Sequence, residues 1–189
     1  MQIIIMRHGQ PELDLDDLKK IRMSARAVGD IVARYEQADL AADSEPSEAA
    51  LELAQTCSRG FCSELPRAIG SIEKLGLSEK TTIDPDFTES ALPFLTWARP
   101  NLTFFTWCIL FRITWLFGFS QNGEHIRGAK TRAKRCAERL IADTKEDETT
   151  LLLGHGIMNR LIARELKRNG WRKIASSGEN YWAISTYIR

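Results

Sequence analysis

Neither charge sign dominates this chain: 26 lysines and arginines stand against 25 aspartates and glutamates in 189 residues. A formal net charge of +1 excludes a globally basic nucleic-acid binder and a polyacidic tail. Cysteine is sparse. Cys57, Cys62, Cys108 and Cys136 form no CxxC pair and no ligand-like spacing with histidine, so neither a disulfide framework nor a metal cluster is expected. Twelve glycines and six prolines are no excess of the kind that marks fibres or linkers, and 43% hydrophobic content is too high for a disordered chain. The opening Met1-Gln2-Ile3-Ile4-Ile5-Met6-Arg7 has no basic lead and too short an apolar run for a signal peptide. Reduced thiols in a cytoplasmic protein are the expectation, with a length that fits one domain over residues 1–189.

What is present alternates between two patterns. Ile3–Met6 and Thr149–Leu153 are short, wholly apolar runs of the kind that fill buried parallel strands, covered on both faces. Arg59–Ser63 and Thr81–Ile83 are weaker strand candidates, and Tyr181–Ile188 alternates like a final strand. Helical periodicity covers about Ser24 to Tyr35, Ser47 to Thr56, Pro66 to Leu75, His125 to Thr144 and Ile157 to Arg168. Pro66 at a first turn and Gly76 past an end fit the usual start and stop asymmetry. Strand and helix alternate, which predicts an α/β three-layer sandwich, a mostly parallel central sheet with helices on both faces.

Two of the three histidines occupy equivalent places. His8 follows the first apolar strand and His155 follows the second, each flanked by glycine. In open α/β sheets ligands bind beyond the carboxyl ends of the strands, and a helix start there offers free N–H groups to an anion. Taken singly, each histidine reads equally well as a turn residue bonded to backbone. Arg7 has less structural excuse, because burying an unpaired guanidinium beside a strand end is costly.

Four segments in order resemble the histidine phosphatase superfamily, the phosphoglycerate-mutase-like proteins. They are Ile3-Ile4-Ile5-Met6-Arg7-His8-Gly9, Cys62-Ser63-Glu64-Leu65-Pro66-Arg67-Ala68, Phe87-Thr88-Glu89, and Leu151-Leu152-Leu153-Gly154-His155-Gly156. Cys62 replaces the first serine of the family's usual pair. No arginine–histidine–tyrosine–glycine stretch follows Glu89, which favours a phosphatase over a mutase. The resemblance implies His8 as a nucleophile forming a phosphohistidine, Arg7 and Arg67 as clamps on the phosphoryl oxygens, and His155, cationic when phosphate is bound, completing the cradle. It also implies Glu89 as general acid, with Asp86 the substitute if Glu89 is only a surface residue. Phosphoryl transfer needs an in-line nucleophile, positive charge around three oxygens and a proton for the leaving group, and these residue types supply all three without a metal or cofactor. The Gly156 amide is expected at the phosphate, and Gln10 and Ser63 as secondary substrate contacts. Two rivals stand beside a small-molecule phosphoester substrate: a protein phosphohistidine, or a non-catalytic phosphate-binding protein that holds a partner.

The remaining signal is Leu102–Phe119, a hydrophobic helical insert at about 100–120. It approaches the ~20 residues that span a bilayer, but Arg112 at its centre argues against a membrane span. Leu102, Phe105, Ile109, Ile113, Leu116 and Phe117 form one stripe, expected to face the core. Phe104, Trp107, Phe111 and Trp115 form a second, expected to build a homodimer interface or a thicker core. The sharper alternative is an aromatic lid through Trp107, with Arg99 or Arg112 meeting a second anionic group on the substrate. The basic sets Arg127/Lys130/Arg132/Lys134/Arg135 and Arg160/Arg164/Lys167/Arg168 read as solvated helix faces. No aromatics are interleaved to stack bases, so no nucleic-acid partner is expected.

Overall fold

The unbroken apolar run at Ile3–Met6 sends Ile3 and Ile5 into one core and Ile4 and Met6 into another, so strand β1 (Gln2–Arg7) must be covered on both sides. In the computed structural model, which describes residues 1–189, it is. The elements run β1, β2 (Arg22–Met23), α1 (Ala25–Glu36), α2 (Glu48–Gln55), β3 (Arg59–Cys62), α3 (Pro66–Lys74), β4 (Thr81–Ile83), β5 (Leu102–Thr103) and α4 (Phe104–Leu116). The chain then continues through α5 (Ile126–Asp143), β6 (Thr149–Gly154), α6 (Gly156–Arg168), β7 (Arg172–Ser176) and β8 (Ile184–Ile188). The six-stranded sheet has the order β4-β3-β6-β1-β8-β7; the pairs among β4, β3, β6 and β1 are parallel, and β8 and β7 are antiparallel.

One face of the sheet packs Ile3, Ile5 and Leu152 on α5 and α6 through Ala133, Ala137, Leu140, Met158 and Ile162. The other packs Ile4, Met6, Leu151 and Leu153 on α2 and α3 through Ala50, Ala54, Ala68 and Ile72. Small alanines at the contact positions let these helices lie close to the sheet. Local signals set the helix ends: Ser24 and Ser47 accept from the third amide on, and His125 Nδ1 accepts from the Arg127 amide.

Two expectations are corrected. Only Ile184–Ile188 of the segment beginning at Tyr181 is strand, and its partner β7 is an edge strand exposed along its whole length. With no buried face it carries no alternation to read. The insert is also inverted. Phe104, Trp107, Phe111 and Trp115 are the buried stripe, while Ile109, Ile113, Leu116 and Phe117 are 59%, 48%, 61% and 89% exposed. Both stripes satisfy helical spacing, so the partner decides. Aromatic rings offer the larger area to α1, where Trp107 stacks on Phe111 at 5.1 Å between centroids. Each indole N–H also finds a carbonyl, Trp107 on Met23 at 2.9 Å and Trp115 on Glu124 at 2.7 Å. No helix is long and apolar enough to cross a membrane.

Candidate active site

Register brings the two histidines together. β1 and β6 pair in parallel with Arg7 opposite Gly154, so His8 and His155 leave the sheet side by side. Their ring centroids lie 4.8 Å apart, tilted by 53°. Cys62 of β3 pairs with Leu153, which delivers Ser63 to the same rim. The turn after β1 needs glycine: a Cβ on Gly9 would come within 2.6 Å of Leu40, Ser44 and Trp182.

His8 Nδ1 lies 2.6 Å from the Gly9 carbonyl, and that oxygen can only accept. The proton therefore sits on Nδ1, and Nε2 presents a lone pair, to which Arg67 Nε donates at 3.3 Å. Burial lowers the His8 pKa to about 3, with Arg67 and then Arg7 pushing the same way and the Gly9 contact opposing them. The ring is neutral at neutral pH. Charge repulsion from the arginines contributes, as the sequence reading expects, but burial is the larger cause.

His155 is a neutral ring in this structure, and the cationic form expected of it belongs to the phosphate-bound site. Burial first, then His8, Arg67 and Arg7, hold its pKa well below the ordinary histidine value. Its Nε2 lies 2.5 Å from Ser63 Oγ, which already accepts from the Leu65 amide. A hydroxyl that then donates to Nε2 leaves the proton on Nδ1. That Nδ1 is buried and has no partner, as is Arg7 Nε. Two unmatched donors beside one lone pair are what a bound oxyanion would complete.

The arginines are fixed from outside the sheet. Arg67, 1% exposed, sends Nη1 to the Tyr35 and Glu36 carbonyls at 2.8 and 3.1 Å. It is no solvated first-turn residue. Arg7 sends Nη1 to the Glu179 carbonyl at 2.8 Å. Glu89 reaches the start of α6, where its carboxylate accepts from the Ile157, Met158 and Ser90 amides at 3.1, 2.9 and 2.9 Å. Gly156 donates nothing to it, and a Cβ there would lie 3.7 Å from Glu89 Oε2. Asp86 is engaged elsewhere, paired with Arg135 at 2.6 Å on the outer side of α5.

Arg132 corrects the solvated-face reading of its helix. It bonds the Asp86 and Thr88 carbonyls at 2.7 and 2.6 Å and pairs with Glu124, clamping the loop that carries Glu89.

A cleft of about 220 Å³ opens above Arg7, Arg67 and Glu89, with apolar walls of Leu15, Val32, Leu92, Phe104, Phe105 and Cys108. Arg112 lines it too. Its guanidinium stacks on Trp115 at 4.8 Å and reaches only the Ser90 carbonyl, at 3.3 and 3.4 Å, with no acidic partner. Burial lowers its pKa, with Glu89 opposing. Trp107 and Gln10 do not line the cleft: Trp107 is packed behind it, and Gln10 is exposed with its amide on Ser44 Oγ. Ser63 faces His155 rather than the open cleft. Tyr35, Glu36 and Tyr181 reach the site without any motif to announce them. Glu36 lines the cleft, and burial raises its carboxyl pKa against the pull of Arg67. A second hollow of about 320 Å³, between α6 and the β7–β8 pair, shares Arg7 and Gly156 with the site; neither hollow is lined by His8 or His155, both of which are buried.

The family model described as "Histidine phosphatase superfamily (branch 1)" matches residues 3–177. No curated protein sequence matches the chain. Among solved structures, one described as mycobacterial hydrolase 1 is 17% identical with a TM-score of 0.65, covering 98% of this chain and 89% of its own. A mycobacterial glucosyl-3-phosphoglycerate phosphatase complexed with VO3 is 18% identical, TM-score 0.57, covering 98% and 91%. A phosphoserine phosphatase from Entamoeba histolytica, in complex with phosphoserine, is 18% identical, TM-score 0.62, covering 99% and 90%. At these identities the likeness is one of fold.

Proposed function

The chain belongs to the histidine phosphatase superfamily and is a phosphatase, and from that premise we propose that it is a metal-independent phosphomonoesterase acting on a small phosphoester through a phosphohistidine on His8. One observation carries this: His8 Nε2, deprotonated and met only by the Arg67 Nε–H that an incoming phosphoryl oxygen would take over, sits among donors that lack partners, Arg7 Nε and His155 Nδ1.

His8 Nε2 attacks phosphorus as the bond to the leaving oxygen breaks, and Glu89 gives that oxygen its proton. Arg7, Arg67 and the His155 Nδ1–H stabilise charge on the three equatorial oxygens; a guanidinium's planar fork suits two-point contact. In the second half Glu89 takes a proton from water, the water attacks phosphorus, and the phosphorus–nitrogen bond breaks to release phosphate and neutral His8. The positive charge comes from side chains, so no metal enters a step.

The cleft supports a small leaving group with an apolar or aromatic body, lying between Val32 and Phe105. Arg112 is a largely buried cation without an acidic partner, and burying an unpaired charge is costly unless a ligand completes it. It supports a second anionic group on the substrate. The walled cleft favours this over a protein phosphohistidine, whose imidazole must arrive on a whole protein surface. Phosphoserine, bound by one structural relative, and glucosyl-3-phosphoglycerate, named in the activity of another, are both phosphomonoesters bearing a carboxylate.

The test is a panel of phosphomonoesters assayed with chelator present and His8→Ala as blank. Hydrolysis by the wild type, its absence in His8→Ala, and an acid-labile phosphoenzyme are the expected results. Activity abolished by chelator, or retained by His8→Ala, overturns the reading.

A further inference from the structure

Both cradle arginines lie against a tyrosine ring. Arg7 Cζ is 4.6 Å from the Tyr181 ring centroid and Arg67 Cζ is 4.8 Å from that of Tyr35. The two hydroxyl oxygens are 3.5 Å apart, although Tyr35 belongs to the last turn of α1 and Tyr181 to the segment between β7 and β8. The Tyr181 ring also lies 5.8 Å from that of His8.

The segment around Tyr181 is built as a strap over the end of β1. The Glu179 carbonyl takes Arg7 Nη1, the Trp182 amide donates to the His8 carbonyl at 3.3 Å, and the Ala183 carbonyl accepts from the Arg7 amide at 3.0 Å. Trp182 adopts φ 60°, a left-handed conformation that a bulky side chain holds only when its surroundings demand it. Its indole is tied to Ser44 Oγ at 3.0 Å. Residues 178–183 lie beyond the 3–177 matched by the family model, so family membership assigns this strap no role.

We propose that Tyr35 and Tyr181 are positioning residues of the phosphate cradle, each ring fixing the plane of one guanidinium and their paired hydroxyls joining the α1 side to the strap side. The proposal rests on the phosphatase reading of the same site. Arg7 is held at one nitrogen by a single carbonyl, which leaves rotation about that contact open, while Arg67 is held at Nη1 by two carbonyls and at Nε by His8; the ring beneath each fixes the guanidinium plane, so the remaining N–H groups stay aimed at the oxyanion. Burial, then the Tyr35 hydrogen bond, push the Tyr181 hydroxyl above its usual pKa, so Tyr181 keeps a proton to share between the two hydroxyls.

Orthovanadate affinity, measured by calorimetric titration, and kcat and KM on an aryl phosphate are compared across wild type, Tyr181→Leu, Tyr181→Phe and Tyr35→Phe. Tyr181→Leu is expected to weaken vanadate binding on the order of tenfold, while Tyr181→Phe, which keeps the ring, stays within about threefold. Tyr35→Phe and Tyr181→Phe should cost the same, and the double variant no more than either, because both remove one hydroxyl pair. Tyr35→Leu repeats the test on the Arg67 side where Tyr181→Leu does not fold. Leucine variants that bind vanadate like wild type, or a Phe variant as weak as Leu, overturn the proposal. A wild type that neither binds vanadate nor depends on His8 for hydrolysis instead removes the phosphatase reading beneath it.

Discussion

Ser63 Oγ lies 2.5 Å from His155 Nε2, and this contact decides which nitrogen of His155 can serve a ligand. The hydroxyl accepts from the Leu65 N–H and has one proton of its own; given to Nε2, that proton holds the ring N–H on the buried Nδ1. Ser63→Ala removes the device and leaves the tautomer unspecified. The expected outcome is a loss of kcat/KM of about two- to tenfold, from the ~0.5–1.5 kcal/mol of one hydrogen bond, with the fold intact. Ser63→Thr, which keeps the hydroxyl, should recover most of it; steady-state kinetics with circular dichroism checks both.

His8 makes the protein acid-sensitive, and the sign follows from its depressed pKa. Between about pH 6.5, where an unfolded histidine takes up a proton, and about 3, where the folded one does, the unfolded chain holds an extra proton. Stability therefore falls as pH drops through this window, by at most ~1.4 kcal/mol per unit for this residue. His155, also depressed, adds in the same direction. Urea denaturation at pH 7 and pH 5 should show a smaller pH difference in His8→Gln than in wild type. An equal difference would place the His8 pKa elsewhere.

Glu89 occupies three backbone N–H donors, so its carboxylate is held in place whatever it does in the reaction. Glu89→Gln removes the transferable proton and, because both oxygens accept, also sets an amide –NH₂ against one of the backbone donors, a loss common to every substrate. An alkyl phosphate, whose leaving alkoxide needs that proton, should lose ~10²–10⁴ in kcat, and an activated aryl phosphate much less. Equal losses on both esters would make Glu89 a helix cap alone.

The parts of this molecule legible in the sequence are those where one local pattern has one solution. The apolar runs at Ile3–Met6 and Thr149–Leu153 could only be covered strands, and a histidine after each followed directly. Their meeting at 4.8 Å needed the pairing of Arg7 with Gly154, a register no single strand displays. Phe104 and Ile109 show the opposite case: both stripes of α4 repeat at helical spacing, and only the neighbours, α1 against Phe104, Trp107 and Phe111 and α5 against Trp115, select the aromatic one. Arg132 was hidden for a related reason. Its helix face looks solvated, but the Asp86–Thr88 carbonyls come from residues far away in the chain. Tyr35 and Tyr181 carry no local pattern at all, since an arginine–tyrosine stack exists only once the fold is made.

Arg112 brings a guanidinium into the cleft with only one carbonyl to meet it. Arg112→Ala should raise KM by ~10–100-fold for a phosphoester that bears a second anionic group, from the ~1.5–3 kcal/mol of a charged hydrogen bond. An uncharged leaving group of equal size should show little change in KM. The comparison is made within one variant, so any loss of active protein cancels. Equal KM changes for both would assign Arg112 to packing on Trp115.

Trp107 and Phe105 stand on one helix with different duties. Trp107 is buried against Phe111 and Met23, behind the cleft, whereas Phe105 forms part of its wall. Trp107→Ala should destabilise the fold by ~3–5 kcal/mol, read as a lower unfolding midpoint, while the ratio of kcat/KM for an aryl over an alkyl phosphate stays as in wild type. Phe105→Ala should do the reverse: a smaller loss of stability, because the side chain is only partly buried, and a fall in the aryl preference. The two variants are read on the same pair of substrates. A selectivity change in Trp107→Ala with none in Phe105→Ala would return the lid to the tryptophan and remove the phenylalanine wall as the element that faces the leaving group.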